Sequence, residues 1–168
     1  MLFRSRTDNY GNTIENRSRL IIEIATKTAE AIGKDKTGIR ISPFSTLGDL
    51  QPYDKTEVHQ TYAYLSSELN KLGMAYIHIS ANPDIPGETY KAIRSAFSNT
   101  IIYCNGLTPE TAETMLQEGS ADLVAFGRSF LANPDFIKRI EKKEALNEVN
   151  FNTLYTPDAV GYTDYPTL

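Results

Sequence analysis

The sequence predicts an α/β fold in which parallel strands alternate with helices. Two observations carry this. Short, continuously apolar runs recur every ~20 to 40 residues, a spacing that leaves room for a crossover helix between parallel strands. Between them lie stretches whose apolar residues return at helical spacing. The 168 residues, 40% of them hydrophobic and 23% charged, suffice for one domain with a real core.

Residues 1–13 are polar and turn-like, an opening loop that ends in Tyr10-Gly11-Asn12-Thr13. Thr13 is a candidate N-cap, because its hydroxyl can accept from an otherwise unpaired amide. Ile14, Ile21, Ala25, Thr28 and Ile32 form one face of the helix that follows, and Gly33 stops it. The β-branched run Thr37 to Ser42, closed by Pro43, predicts a buried strand. A loop follows from Phe44 to Pro52, containing Gly48. Asp54 and Glu57 resemble a capping box. They open a strong helix whose apolar face is Val58, Tyr62, Leu65, Leu69 and Leu72, ended by Gly73.

The second strand is predicted over Met74 to Ser80. Asn82-Pro83-Asp84 and Pro86-Gly87 punctuate a loop, and a shorter helix spans about Glu88 to Phe97. Thr100 to Cys104 is the third strand. Thr108-Pro109 opens a helix with a capping hydroxyl and a proline at its first position, with Ala112, Met115 and Leu116 as its inner face. Ala121 to Phe126 is the fourth strand, and Gly127-Arg128 turns the chain. Asn133-Pro134 caps a last helix carrying Phe136, Ile137 and Ile140. The tail, 145–168, has no clear periodicity. This pattern fits either a doubly wound open sheet or part of a (β/α)8 barrel, since four strands are half of one.

Net charge is −4, and nothing basic marks a nucleic-acid face. No apolar run is long enough to cross a membrane as a helix, and the N-terminus lacks the apolar stretch of a signal peptide. The single cysteine, Cys104, leaves no internal disulfide and no cysteine-clustered metal site. Two distant histidines do not suggest a metal site either. A soluble cytoplasmic protein with no nucleic-acid or membrane partner is the expectation.

Few residues invite a chemical role. Arg40 lies inside an apolar strand, where a buried guanidinium needs a partner. It either pairs with a carboxylate across the fold or presents a cation to an anionic or electron-accepting ligand at the strand's C-terminal end. Asn105-Gly106 follows the third strand and Gly127-Arg128 the fourth, each ahead of a helix. Small residues there let backbone amides approach an anion, and Arg128 adds a forked donor suited to phosphate. In barrels the phosphate site often lies in the last two βα loops. Together the two loops and the arginine point to a phosphate site. His78 reads as a packing residue with one hydrogen bond, His59 as solvent-facing, and the charge run Lys138 to Glu144 as a solvated helix face.

Several stretches together resemble the signatures of one family. Arg6-Thr7-Asp8-Asn9-Tyr10-Gly11-Asn12-Thr13-Ile14-Glu15-Asn16-Arg17 resembles the family's RTDxYGGSxENR signature. Gly38-Ile39-Arg40-Ile41-Ser42-Pro43 resembles its GVRLSP strand. Leu123-Val124-Ala125-Phe126-Gly127-Arg128 with Leu131-Ala132-Asn133-Pro134-Asp135 resembles its run from VAFGR to ANPD, and Gly161 to Pro166 its GYTDYP ending. The order and spacing agree over essentially the whole chain, which therefore resembles the Old Yellow Enzyme-type alkene reductases. Three places depart from the pattern: Asn12 where a second glycine is usual, Asn105 where the phosphate loop has a small residue, and Tyr155-Thr156-Pro157 where glycines are common.

The resemblance implies the C-terminal half of a (β/α)8 TIM barrel. The two strand edges and apolar inner face of such a half invite pairing, with a missing N-terminal half or with a second copy as a homodimer. It implies FMN as cofactor, NAD(P)H as reductant and a small enone as substrate. Arg40 matches an arginine beside the flavin ring; Asn105, Gly106, Gly127 and Arg128 match the FMN-phosphate loops; Tyr155 matches a tyrosine of the substrate pocket. The family's catalytic proton donor and carbonyl-binding pair belong to its first half, so no catalytic residue is assigned in this chain.

Overall fold

The structure, a computed structural model, describes residues 6–45, 54–80, 85–104 and 106–168. The predicted loop positions 46–53, Asn82-Pro83-Asp84 and Asn105 lie outside the described residues. Four strands alternate with helices: α1 (Ile14–Ile32), β1 (Gly38–Ile41), α2 (Lys55–Leu72), β2 (Tyr76–Ser80), α3 (Gly87–Ala96), β3 (Thr100–Cys104), α4 (Pro109–Gln117) and β4 (Leu123–Ala125). Two short helices follow, α5 (Arg128–Ala132) and α6 (Phe136–Lys142), and then an irregular tail with one 3-10 turn at Phe151–Thr153.

Local chemistry sets the helix ends as expected. The Thr13 hydroxyl accepts from the Asn16 amide, and the Asp54 carboxylate from the Glu57 amide. Thr108 and Thr111 cap each other reciprocally, with Pro109 at the first position. Gly73 ends α2 at φ +70°, the left-handed conformation that favours glycine. The sequence missed α5, since five residues carry no readable period.

The strands are parallel and lie in the order β1-β2-β3-β4. A doubly wound sheet would reverse its strand order at a switch point and carry helices on both faces. Here the order follows the chain, and the buried core lies on one face. Ile41, Ile77, Ile79 and Ile101 pack there against Leu65 and Leu69 of α2 and Ile93 of α3. Alternation puts the other strand residues on the opposite face. Its central row is Arg40, His78, Ile102 and Leu123, paired in register across the four strands. This is the geometry of four consecutive βα units of a barrel, with the barrel-interior face open.

That open face corrects one expectation. Arg40 is exposed rather than buried in an apolar strand, and it donates to the Ser80 hydroxyl at 3.0 Å instead of pairing with a carboxylate. Leu123 is 54% exposed on the same face. Leu116, predicted on an inner helix face, is also exposed, as are Ile32 and Ile137 of the predicted apolar helix faces.

Asp122 ties the base of β4 to its neighbours. Its carboxylate accepts from the Ile101 amide at 2.8 Å and from Arg94 of α3 at 2.6 Å. The Ile101 hydrogen bond, then Arg94, holds its carboxyl below the ordinary value of 3.8. A carboxyl whose pKa is lower folded than unfolded stabilises the fold above its ordinary pKa. That contribution is lost as pH falls toward the lowered value. The urea midpoint is therefore expected to hold at neutral pH and fall below roughly pH 4. Asp122→Asn should flatten that fall; an equally steep fall in the variant would deny Asp122 this role.

Candidate functional site

The loops after β3 and β4 meet at the C-terminal end of the sheet and enclose a cleft of about 450 Å³. Gly106 and Leu107 form one side; Ala125, Phe126, Gly127, Arg128 and Ser129 form the other. Val149 and Phe151 of the tail add a third wall. Gly106 sits at φ +71°, in the left-handed region, and a Cβ at either Gly106 or Gly127 would meet nothing within 4 Å. Both backbones therefore face open space, so an anion could approach them closely. Arg128 brings the guanidinium, whose carbon lies 5.6 Å from the centre of the Phe151 ring.

A hydrophobic bracket holds the arginine side of the cleft. Phe136 of α6 is buried and packs against Phe126 at 4.9 Å and Phe130 at 5.6 Å between ring centres. Two polar contacts fasten the tail to the same region. Asn133, fully buried, donates to the Ser129 carbonyl and accepts from the Asn147 amide.

Gly106, Gly127 and Arg128 thus come together as the sequence predicted. Asn105, which belongs to the same loop, lies outside the described residues. Arg40 sits apart, on β1. Two strands, β2 and β3, lie between β1 and β4 in the sheet. Tyr155 is 96% exposed and does not line the cleft.

Phe126, Val149 and Phe151 were missed. Phe126 was assigned to the fourth strand, and the tail offered no period to place the other two. Arg139 was misread as part of a solvated face. It is buried, paired with Asp135 at 2.8 Å, and donates to the Ala145 and Pro166 carbonyls. The aspartate four residues before it was the available signal.

The histidines differ from expectation as well. His59 is half-buried, its Nδ1 within 3.3 Å of the Thr89 hydroxyl. His78 lies beside Arg40 in the central row, and its buried Nε2 has no hydrogen-bond partner. Burial, with Arg40 second, pushes its pKa down, which favours the neutral ring. Among the described residues no three His, Cys, Asp or Glu side chains gather within reach of one metal ion. No helix among them is long and apolar enough to cross a membrane.

The donor set fits a phosphate-bearing cofactor: open glycine backbones on two adjacent loops, one forked cation and a partly apolar cleft. The sequence model of the NADH:flavin oxidoreductase / NADH oxidase family matches residues 1–147. The chain belongs to this family. FMN, the flavin in the family model's name, bears such a phosphate. Among its relatives, a 12-oxophytodienoate reductase-like protein of Solanum lycopersicum is 42% identical over 163 residues, covering 96% of this chain and 44% of the relative. The 12-oxophytodienoate reductase 2 of Arabidopsis thaliana is 40% identical, over 97% of this chain and 45% of its own length.

Solved structures agree. Morphinone reductase in complex with tetrahydroNAD superposes with a TM-score of 0.88 at 39% identity, over 98% of this chain and 44% of its own. The old yellow enzyme from Trypanosoma cruzi gives 0.86 at 32% identity, over 96% of this chain and 43% of its own. The chain spans somewhat under half the length of the relatives it matches. The four parallel βα units correspond to about half of such a barrel, as the resemblance implied.

Proposed function

We propose that this chain is the FMN-phosphate-binding part of an NAD(P)H-dependent ene-reductase. The cleft between Gly106 and Gly127-Arg128 carries the reading. FMN, when bound, supplies the chemistry that passes hydride from NAD(P)H to the β-carbon of an α,β-unsaturated carbonyl.

The chain's own residues bind and orient. Arg128 and the open backbones of the two loops hold the phosphate; Asn105 belongs to the same loop in sequence. Arg40, on β1, would present a cation to the ring end of the same ligand. A fixed positive charge there would favour extra electron density on the ring, which is electrostatic stabilisation by a preorganised group. Tyr155 is the tail residue proposed to face the enone. The proton donor and carbonyl-binding pair are not among the roles we assign to this chain. They would come with four further strands, supplied by a missing half.

The open barrel-interior face favours a second reading. Leu123 and Tyr76 are exposed there, and β1 and β4 are edge strands among the described residues. Such a face and such edges promote association. In that reading the chain self-associates and binds FMN or phosphate without catalysis.

One experiment separates these. The purified chain is mixed with FMN, desalted, and followed by absorbance and light scattering together. Retained flavin bands support the binding role. Retained flavin in a dimer, without enone reduction, favours the second reading. A colourless eluate overturns FMN binding by this chain.

A further inference from the structure

We propose that Asn147, with Asn133 and Arg139, is a positioning residue that fixes the aromatic wall of the cleft against Arg128. The inference rests on the cleft being the flavin-phosphate site.

After α6 the tail contains only one 3-10 turn, so regular backbone hydrogen bonding does not place it. Side chains do. The Asn147 amide donates to the Ala132 carbonyl at 2.9 Å and to the Pro166 carbonyl at 2.7 Å. Its backbone N–H donates to the buried Asn133 side chain at 2.7 Å. The Asn133 amide donates in turn to the Ser129 carbonyl at 2.8 Å. Arg139 donates to the Ala145 carbonyl at 2.7 Å and to Pro166 at 3.0 Å. The Pro166 carbonyl therefore receives both Arg139 and Asn147, which ties the outgoing and returning arms of the tail at one point.

The anchor points matter. Ser129 and Ala132 belong to α5, the helix that begins at Arg128. Val149 and Phe151, two and four residues past Asn147, line the cleft. One set of hydrogen bonds thus sets both the helix carrying the cation and the segment carrying the ring beneath it. Phe151 is 66% exposed, so packing alone does not hold it. The Phe151 ring limits the conformations open to the long Arg128 side chain, so less freedom is lost when an anion binds. The latch therefore acts on affinity through Phe151, without touching the ligand.

The test measures FMN affinity of the full chain with Asn147→Ala, Phe151→Ala and the double variant. Each single change is expected to weaken FMN about tenfold, and the double change no more than about tenfold, because both remove the same restraint. Hydrogen exchange supplies a readout without ligand. Asn147→Ala should lose protection over 149–153 and keep it over β2 and β3. If Asn147→Ala does not fold, Asn147→Asp takes its place, retaining size but losing the two bonds its side chain donates. Multiplying effects in the double variant, an unchanged affinity in Asn147→Ala, or unchanged exchange over 149–153 would overturn the proposal. If the wild-type chain binds no FMN, the cleft assignment fails, while the exchange result still decides whether the latch holds the tail.

Discussion

Arg128→Ala is expected to weaken FMN binding by about ten- to a hundredfold. The range follows from charged hydrogen bonds contributing ~1.5–3 kcal/mol each, with every ~1.4 kcal/mol worth a factor of ten. Arg128 is exposed at the mouth of the cleft, so its truncation should leave the fold intact. Lys142→Ala, on the exposed end of α6, is the matched control that removes one positive charge elsewhere. Flavin fluorescence titration checks both. Equal affinities for the two variants would mean that Arg128 contributes only through net charge, and the cleft would lose its main donor.

The second large effect concerns the fold. Phe97→Ala should lower unfolding stability by about 3–5 kcal/mol, the usual cost of emptying a buried aromatic site. Phe97 is fully buried in the core, alongside Ile93 and Ile101 on the helix-covered face. Since domains are commonly stable by only ~5–15 kcal/mol, this single change approaches the whole margin. Urea denaturation of the variant beside the parent measures it. A cost under ~1 kcal/mol would mean that the covered face is loosely packed, as in a collapsed state lacking fixed side-chain contacts.

Much of this architecture was legible because its signals are local. The spacing of Val58, Tyr62, Leu65, Leu69 and Leu72 fixed α2, and Thr108-Pro109 fixed the start of α4. The strand run Thr100 to Cys104 matched its observed bounds. What failed depends on what lies across the fold. Arg40 looked buried because an apolar strand suggests cover on both faces, whereas only the helix side is covered. Whether the sheet was a barrel segment or doubly wound is a matter of strand order, which no periodicity encodes. The two glycine loops and Arg128, which line one cleft, stood out because small residues and a forked cation at strand ends suit a phosphate. The third wall of the cleft was not, since Phe151 reaches it through side-chain hydrogen bonds made far along the chain. Arg139 was lost among charged neighbours for the same reason: its partners include Pro166, distant in sequence.

The proposed function requires the cleft of Gly106, Gly127 and Arg128 to recognise the phosphate of FMN. Parallel titration of the chain with FMN and with riboflavin, which differ only by that phosphate, tests it most directly. FMN should bind at least about tenfold more tightly, the effect of one or more charge-assisted contacts, and inorganic phosphate should compete with it. Equal affinities for the two flavins, or binding of neither, would contradict the assignment.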